Sequence, residues 1–182
     1  MNVSDTDLPE VRLIEPRVFG DERGWFLETW RRERYAEIGV GPDFVQANCS
    51  RSAKGVLRGL HYQWPESQGK LVWVSSGRVL DVAVDIRPDS PRFGQWCAVT
   101  LDAERQHQLW IPEGHAHGFL VLSEWATFQY LCTRPYRADY DAAIAWNDPD
   151  IAIDWPISEP DLSAKDAAAP RLADISRDAL PR

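Results

Sequence analysis

The sequence predicts an all-β fold, a jelly roll or a related double-sheet barrel, on three observations. Apolar residues recur mostly with period two, the apolar runs are short and divided by Gly, Pro, Asp and Ser, and before position 150 only residues 31 to 38, RRERYAEI, read as a helix. A chain of 182 residues, 44% hydrophobic and with nine Trp, is large enough to bury a sizeable core in one domain.

About eleven strands are expected. VRLIE (11 to 15) and GWFLETW (24 to 30) precede the helix; FVQANCS (44 to 50) and VLRGLHYQ (56 to 63) follow it. Gly77 divides the next two, at 70 to 76 and 78 to 86, and further runs lie at 95 to 102 and 106 to 111. Pro112 and Gly114 mark a turn before 117 to 123, then come 126 to 133 and 143 to 147. After Trp146-Asn147-Asp148 the composition shifts to Pro, Asp, Ser and Ala. The expectation is one domain over 1 to 182, with 149 to 182 a tail wrapping the barrel.

Charge and cysteines narrow the function classes. A net charge of -8 disfavours general attraction to nucleic acid or an anionic membrane, so a polyanionic ligand needs a local cluster of cations. Of twenty basic residues only Lys54, Lys70 and Lys165 are lysines, and the remaining seventeen are arginines suited to bidentate pairing. The N-terminus has no basic stretch leading into an apolar run, and no segment reaches membrane-span length, which sets a cytoplasmic protein as the expectation. Cys49, Cys97 and Cys132 fit free thiols in a reducing compartment.

Several side chains could carry chemistry. Arg58 and His61 place an anion clamp beside a base, although a solvated Arg and a packed His are the ordinary reading of one strand. Strict alternation also puts those two on opposite faces, unless Gly59 introduces a bulge or Arg58 acts from a rim. Asp81 and Asp85 share a strand face that either borders solvent or lines a polar cavity. His115 and His117 alternate onto one face as a metal pair would, with Asp81 a conceivable third ligand; His61 is followed only by Tyr62 and Gln63, poor ligands, so no metal is expected. Tyr130 reads as an aromatic core residue, and Leu162-Ser163-Ala164-Lys165-Asp166 as the start of a short helix.

Taken in order, FGDERGWFLETW (19 to 30), FVQANCS, VLRGLHYQ, QGKLV (68 to 72), DVAVDIR (81 to 87), FGQW (93 to 96), QLWIPEGHAHGF (108 to 119), WND (146 to 148) and LSAKDAAAP (162 to 170) resemble the dTDP-4-dehydrorhamnose 3,5-epimerases. These are sugar-nucleotide epimerases of the cupin-type jelly roll that work without a cofactor. The resemblance implies inversion of C3 and C5 of dTDP-4-dehydro-6-deoxy-D-glucose through an enolate, giving dTDP-4-dehydro-L-rhamnose for dTDP-L-rhamnose biosynthesis. By match to the family motifs, His61 is the base, Asp166 its hydrogen-bond partner, Tyr130 the proton donor and Lys70 the group that stabilises the enolate.

Arg23 and Arg58 match pyrophosphate ligands; Glu28, Gln46, the backbone of Ala47, and Asn48 match residues that hold nucleotide and sugar. Tyr136 matches the aromatic that stacks on thymine, and His117 and Lys165 match substrate contacts, with Asp81 expected to orient His117. The family also implies a homodimer whose N-terminal strands cross between subunits, so that Arg23 and Glu28 serve the partner's site. Two positions depart from the pattern: Asp141 stands where the family carries Glu, so that contact is shorter or lost, and His115 stands at a position associated with a large apolar or aromatic residue. An epimerase acting only at C3 or only at C5 is the alternative, followed by a metal-dependent cupin enzyme and a sugar-nucleotide-binding cupin without turnover.

Overall fold

Alternation in the sequence becomes two facing sheets in the computed structural model, which describes residues 1–41 and 43–182. The first strands are β1 (Asn2–Asp5), β2 (Arg12–Glu15), β3 (Val18–Asp21) and β4 (Gly24–Leu27), followed by helix α1 (Arg32–Glu37). The barrel continues with β5 (Gln46–Ala53), β6 (Leu57–Gln63), β7 (Lys70–Ser76), β8 (Arg78–Asp85) and β9 (Trp96–Asp102). It closes with β10 (Gln108–Ile111), β11 (His115–Val121), β12 (Trp125–Cys132) and β13 (Asp141–Ala143), and the tail carries α2 (Ala164–Ala167). A six-stranded sheet in the order β1-β2-β10-β7-β12-β5 faces a five-stranded sheet in the order β13-β6-β11-β8-β9, while β3 and β4 pair only with each other.

This is the all-β, double-sheet architecture that the periodicity predicts. Two strands escape the sequence reading, β1 and β3; all four residues of each are exposed, so neither shows the in-out alternation that marks a half-buried strand. Ends shift elsewhere: β4 stops at Leu27, β11 starts two residues early at His115, and the last strand lies at Asp141–Ala143.

Period two sorts each strand into an inner and an outer face. The inner faces meet in a core that includes Val72, Val74, Leu109, Phe119 and Phe128, with the Phe119 and Phe128 rings stacked at 4.1 Å between centroids. Leu71 and Trp110 face the other way and pack with Ile14, Tyr35 and Val40, seating α1 on the outside of the six-stranded sheet. On the outside of the five-stranded sheet, Val82, Val84, Ile86 and Leu120 meet Ile151, Trp155, Leu172 and Leu180 of the tail. Each fully buried Leu, Ile or Phe contributes about 1.5–3 kcal/mol, so the tail is held to the barrel by ordinary core packing.

The face problem of Arg58 and His61 is solved by a bulge. His117 pairs with His61 and Phe119 with Arg58, so two steps on β11 span three on β6 and one residue is extra. Leu57, Leu60 and Tyr62 therefore face the tail, while Arg58, His61 and Gln63 take the inner side. Gly59 sits in the bulge at φ 136°, and a Cβ there would lie 2.5 Å from the Gly118 Cα. A Gly59→Ala variant is expected to lose about 2 kcal/mol or more of stability, read by urea unfolding, through positive φ and collision with backbone. Unchanged stability would remove the bulge's claim on glycine.

Candidate active site

Where the inner faces of β5, β7 and β12 approach that of β6, one end of the barrel is left open as a polar cavity of about 150 Å³. The six-stranded sheet contributes Gln46, Asn48, Lys70, Tyr130 and Cys132, and β6 contributes His61 and Gln63. That volume is below the ~300–1,000 Å³ of a pocket for a drug-sized ligand, so it takes a ring-sized group and leaves the remainder of a larger ligand at the rim.

His61 is one-third exposed, and its Nε2 lies 2.5 Å from the Asp166 Oδ1. Asp166 is 3% exposed and is brought there by the tail; it sits in α2, whose first turn is capped by the Ser163 Oγ accepting from the Asp166 N–H at 3.1 Å. Burial pushes the Asp166 carboxyl up, but hydrogen bonding to His61, the charge of that ring and nearby Lys165 outweigh it and hold the carboxyl below its ordinary value. With Nε2 engaged by a carboxylate, Nδ1 is the nitrogen free to take a proton from a ligand.

Opposite the His61 strand, Lys70 and Tyr130 lie on the inner faces of β7 and β12. Burial pushes the Lys70 ammonium down, against the opposing pull of Cys132, Asp141 and Asp81. Burial pushes the Tyr130 phenol up despite Arg58 nearby, so it holds its proton at neutral pH and is equipped to donate it. Deeper in the barrel, the His117 Nε2 meets both Asp81 oxygens at 3.0 and 3.1 Å. Asp81 and Asp85 are both fully buried, which removes the solvent reading of that strand face. Burial drives His117 towards neutral imidazole, and the Asp81 carboxylate orients the ring.

The remaining expected residues divide between the rim and elsewhere. Arg58 does not line the cavity wall; its Nε donates to the Ser52 Oγ at 3.1 Å. Asp141 ties the mouth together, accepting from the Tyr136 hydroxyl at 3.0 Å and from the Lys165 Nζ at 2.5 Å. Tyr136 is 53% exposed, with its N–H donating to the Gln46 Oε1 at 2.7 Å. The Asn48 Nδ2 reaches the Cys132 Sγ at 3.7 Å, and Ala47 turns its side chain outward. Arg23 and Glu28 are not brought to this cavity: Arg23 pairs with Asp21 at 2.5 Å and Glu28 with Arg34 at 2.7 Å.

Gln63, Gln68, Cys132 and Ser52 enter the site without having been singled out. Gln63 and Cys132 were readable in principle, since period two places them on the faces of His61 and Tyr130. Gln68 lies in a loop and Ser52 acts through Arg58, and no local pattern marks either.

His115 and His117 share one face of β11, as the spacing suggested, but they turn to different partners. His117 is taken by Asp81, and among the described residues the grouping with metal-ligand proximity is Glu10, Asp85 and His115. The Arg87 guanidinium already bonds both carboxylates of that group, at 2.6 Å to Glu10 and 2.6 Å to Asp85, so its positive charge stands where a cation would have to enter.

The family model for dTDP-4-dehydrorhamnose 3,5-epimerase matches residues 5–174. A dTDP-4-dehydrorhamnose 3,5-epimerase of Salmonella typhimurium is 55% identical over 175 residues, covering 94% of this chain and 96% of its own. The crystal structure of dTDP-6-deoxy-D-glucose-3,5-epimerase from Legionella pneumophila in complex with dTDP-4-keto-L-rhamnose has a TM-score of 0.97 and 53% identity, covering 100% of this chain and 97% of that one. A 3'-monoepimerase from Streptomyces bikiniensis in complex with dTDP-quinovose also matches, with a TM-score of 0.87 at 37% identity over 93% of this chain and 87% of that one.

The depressed Asp166 carboxyl carries a consequence for acid stability. Its pKa in the fold lies below the ordinary 3.8, so between the two values the unfolded chain binds the extra proton. The stabilisation is therefore complete above the unfolded value and is lost as pH falls through the folded one. Asp166→Asn is expected to unfold more easily than the parent at about pH 5 and to close that gap towards about pH 3, in urea titrations. A gap that stays constant would show a carboxyl at its ordinary value.

Proposed function

The chain belongs to the dTDP-4-dehydrorhamnose 3,5-epimerase family, and from that premise we propose that it is an isomerase inverting C3 and C5 of dTDP-4-dehydro-6-deoxy-D-glucose to give dTDP-4-dehydro-L-rhamnose. Substrate and product are isomers, so no electrons are gained or lost. The C4 ketone already acidifies the hydrogens on both neighbouring carbons, and the enzyme has to supply a base, an acid and stabilisation for the enolate oxygen.

The observation that carries this reading is the 2.5 Å pairing of His61 with Asp166 at a cavity that also holds Lys70 and Tyr130. His61 takes the proton, and Asp166 stabilises the imidazolium that results. Lys70 answers the charge developing on the C4 oxygen. Tyr130 returns a proton from the opposite side of the ring, and that change of face turns exchange into inversion. Arg58 and Lys165 supply local positive charge for the pyrophosphate and sugar in a chain of net charge -8. The exposed ring of Tyr136 offers a flat surface for thymine, Gln46 and Asn48 hold the sugar from the cavity wall, and His117 stands behind that wall with Asp81. A cytoplasmic place suits three free cysteines and a nucleotide-linked substrate.

The hairpin β3–β4 supports the proposal of a homodimer. It stands apart from both sheets and exposes Phe19, Trp25 and Phe26 by 50%, 59% and 69%. A second copy covers these rings and receives Arg23 and Glu28 at its own cavity. Mixing Arg23→Ala subunits with His61→Ala subunits is then expected to restore activity that neither has alone. Demonstrated heterodimers with no recovered activity would confine each site to one chain.

Because a monoepimerase shares the fold, the number of inverted carbons is the decisive measurement. In deuterated water, one base and one acid serving both carbons place deuterium at C3 and at C5, read separately by NMR and mass spectrometry. Label at one carbon alone would make this a single-site epimerase. His61→Ala is expected to abolish exchange, whereas Tyr130→Phe retains abstraction and slows inversion by about 10²–10⁴-fold. Loss of exchange in Tyr130→Phe with the fold intact would reverse the two roles.

A further inference from the structure

We propose that Asp148 is a positioning residue for this reaction, acting through Asp166 on the base; the inference rests on the roles assigned above to His61 and Asp166. The helix that presents Asp166 cannot hold itself in place. α2 has four residues, far fewer than a helix needs to be stable alone, and Asp166 is its only buried side chain. Ala167 and Ala168 are exposed, so no apolar face fixes the helix to the barrel.

The segment is instead clamped on either side of the helix. Before it, the Asp161 N–H donates to the Gly55 O at 2.9 Å and the Leu57 N–H to the Asp161 O at 3.0 Å. After it, the Ala145 N–H donates to the Pro170 O at 2.8 Å, and the Leu172 N–H donates to the Asp148 Oδ2 at 2.7 Å. Asp148 is 2% exposed, and its other oxygen accepts from the Asp150 N–H at 2.9 Å, so the carboxylate joins the turn behind β13 to the chain behind α2. That turn is tied to the base's own strand: Ile144 and Leu60 exchange backbone hydrogen bonds at 2.9 and 3.2 Å, and Leu60 precedes His61. Both members of the His61–Asp166 pair are thus referred to one anchor, and the side chain in that anchor is Asp148.

The test is a double-mutant cycle with Asp166→Asn, following kcat and KM for the 4-keto sugar nucleotide and the melting temperature. Asp148→Ala is expected to lower kcat about 10- to 100-fold with KM within about twofold, because a displaced carboxylate costs positioning and not ligand contact. In the Asp166→Asn background the same substitution should change kcat by less than about twofold, since the group it positions is already gone. Asp148→Asn keeps the volume and one acceptor; a smaller loss with the same coupling is expected there, and it decides the matter if the alanine variant does not fold. An equal loss of kcat in both backgrounds, or a rise in KM with kcat unchanged, overturns the positioning role. If Asp166→Asn alone leaves kcat intact, the assignment of Asp166 falls, and this inference with it.

Discussion

The extra residue in β6 is the constraint on which the site depends. Without it, strict alternation would put Leu57 with His61 on one side and Arg58 with Leu60 on the other, so that neither the two leucines nor the two functional side chains could share a face. Gly59 permits both, because it has no Cβ to strike Gly118 on the neighbouring strand and tolerates the positive φ that the bulge requires. The outer face of the same strand then receives the tail, and the inner face opens on the cavity. Packing of the tail and geometry of the site are therefore two readings of one backbone irregularity.

The electrostatic arrangement follows from where the charges are buried. A lysine taken out of water tends to shed its proton, and an aspartate to keep one. Lys70, Asp81 and His117 lie close enough to offset those tendencies in part, Asp81 favouring positive charge on Lys70 and on His117. For Tyr130 the nearby Arg58 offsets burial only in part, and the net effect of its surroundings is to keep the phenol protonated. One cavity thus holds an ammonium whose proton is loosened and a phenol whose proton is tightened, next to an imidazole paired with a carboxylate.

Legibility in the sequence followed burial contrast. Strands that set an apolar face against a more polar one, such as Trp125–Cys132 and Arg78–Asp85, whose carboxylate face is itself buried, announce themselves by period two, and the double-sheet class follows from their number. β1 and β3 have no dry face and left no pattern. At the site, Arg58 and His61 could be named but not reconciled, because a bulge is a property of the pair of strands and leaves only a glycine in the sequence. The burial of Asp81 and Asp85 was undecidable locally, since both readings place carboxylates on one strand face; their partners His117 and Arg87 settle it. Asp166 joined the site through its place in the LSAKD segment, 105 residues from His61, a separation that no periodicity bridges.

The same separation orders events during synthesis. Chain emerges from the ribosome N-terminus first, and the last strand of the two sheets ends at Ala143, so all the strands leave the ribosome before the tail does. His61 is then present in a cavity that lacks its carboxylate. Only after Leu172 has appeared can the strap be fastened behind α2. Any chain cut short between Ala143 and Asp166 would have all the strands of the barrel and none of the His61–Asp166 pair, so a census of folded β-structure would overcount complete sites.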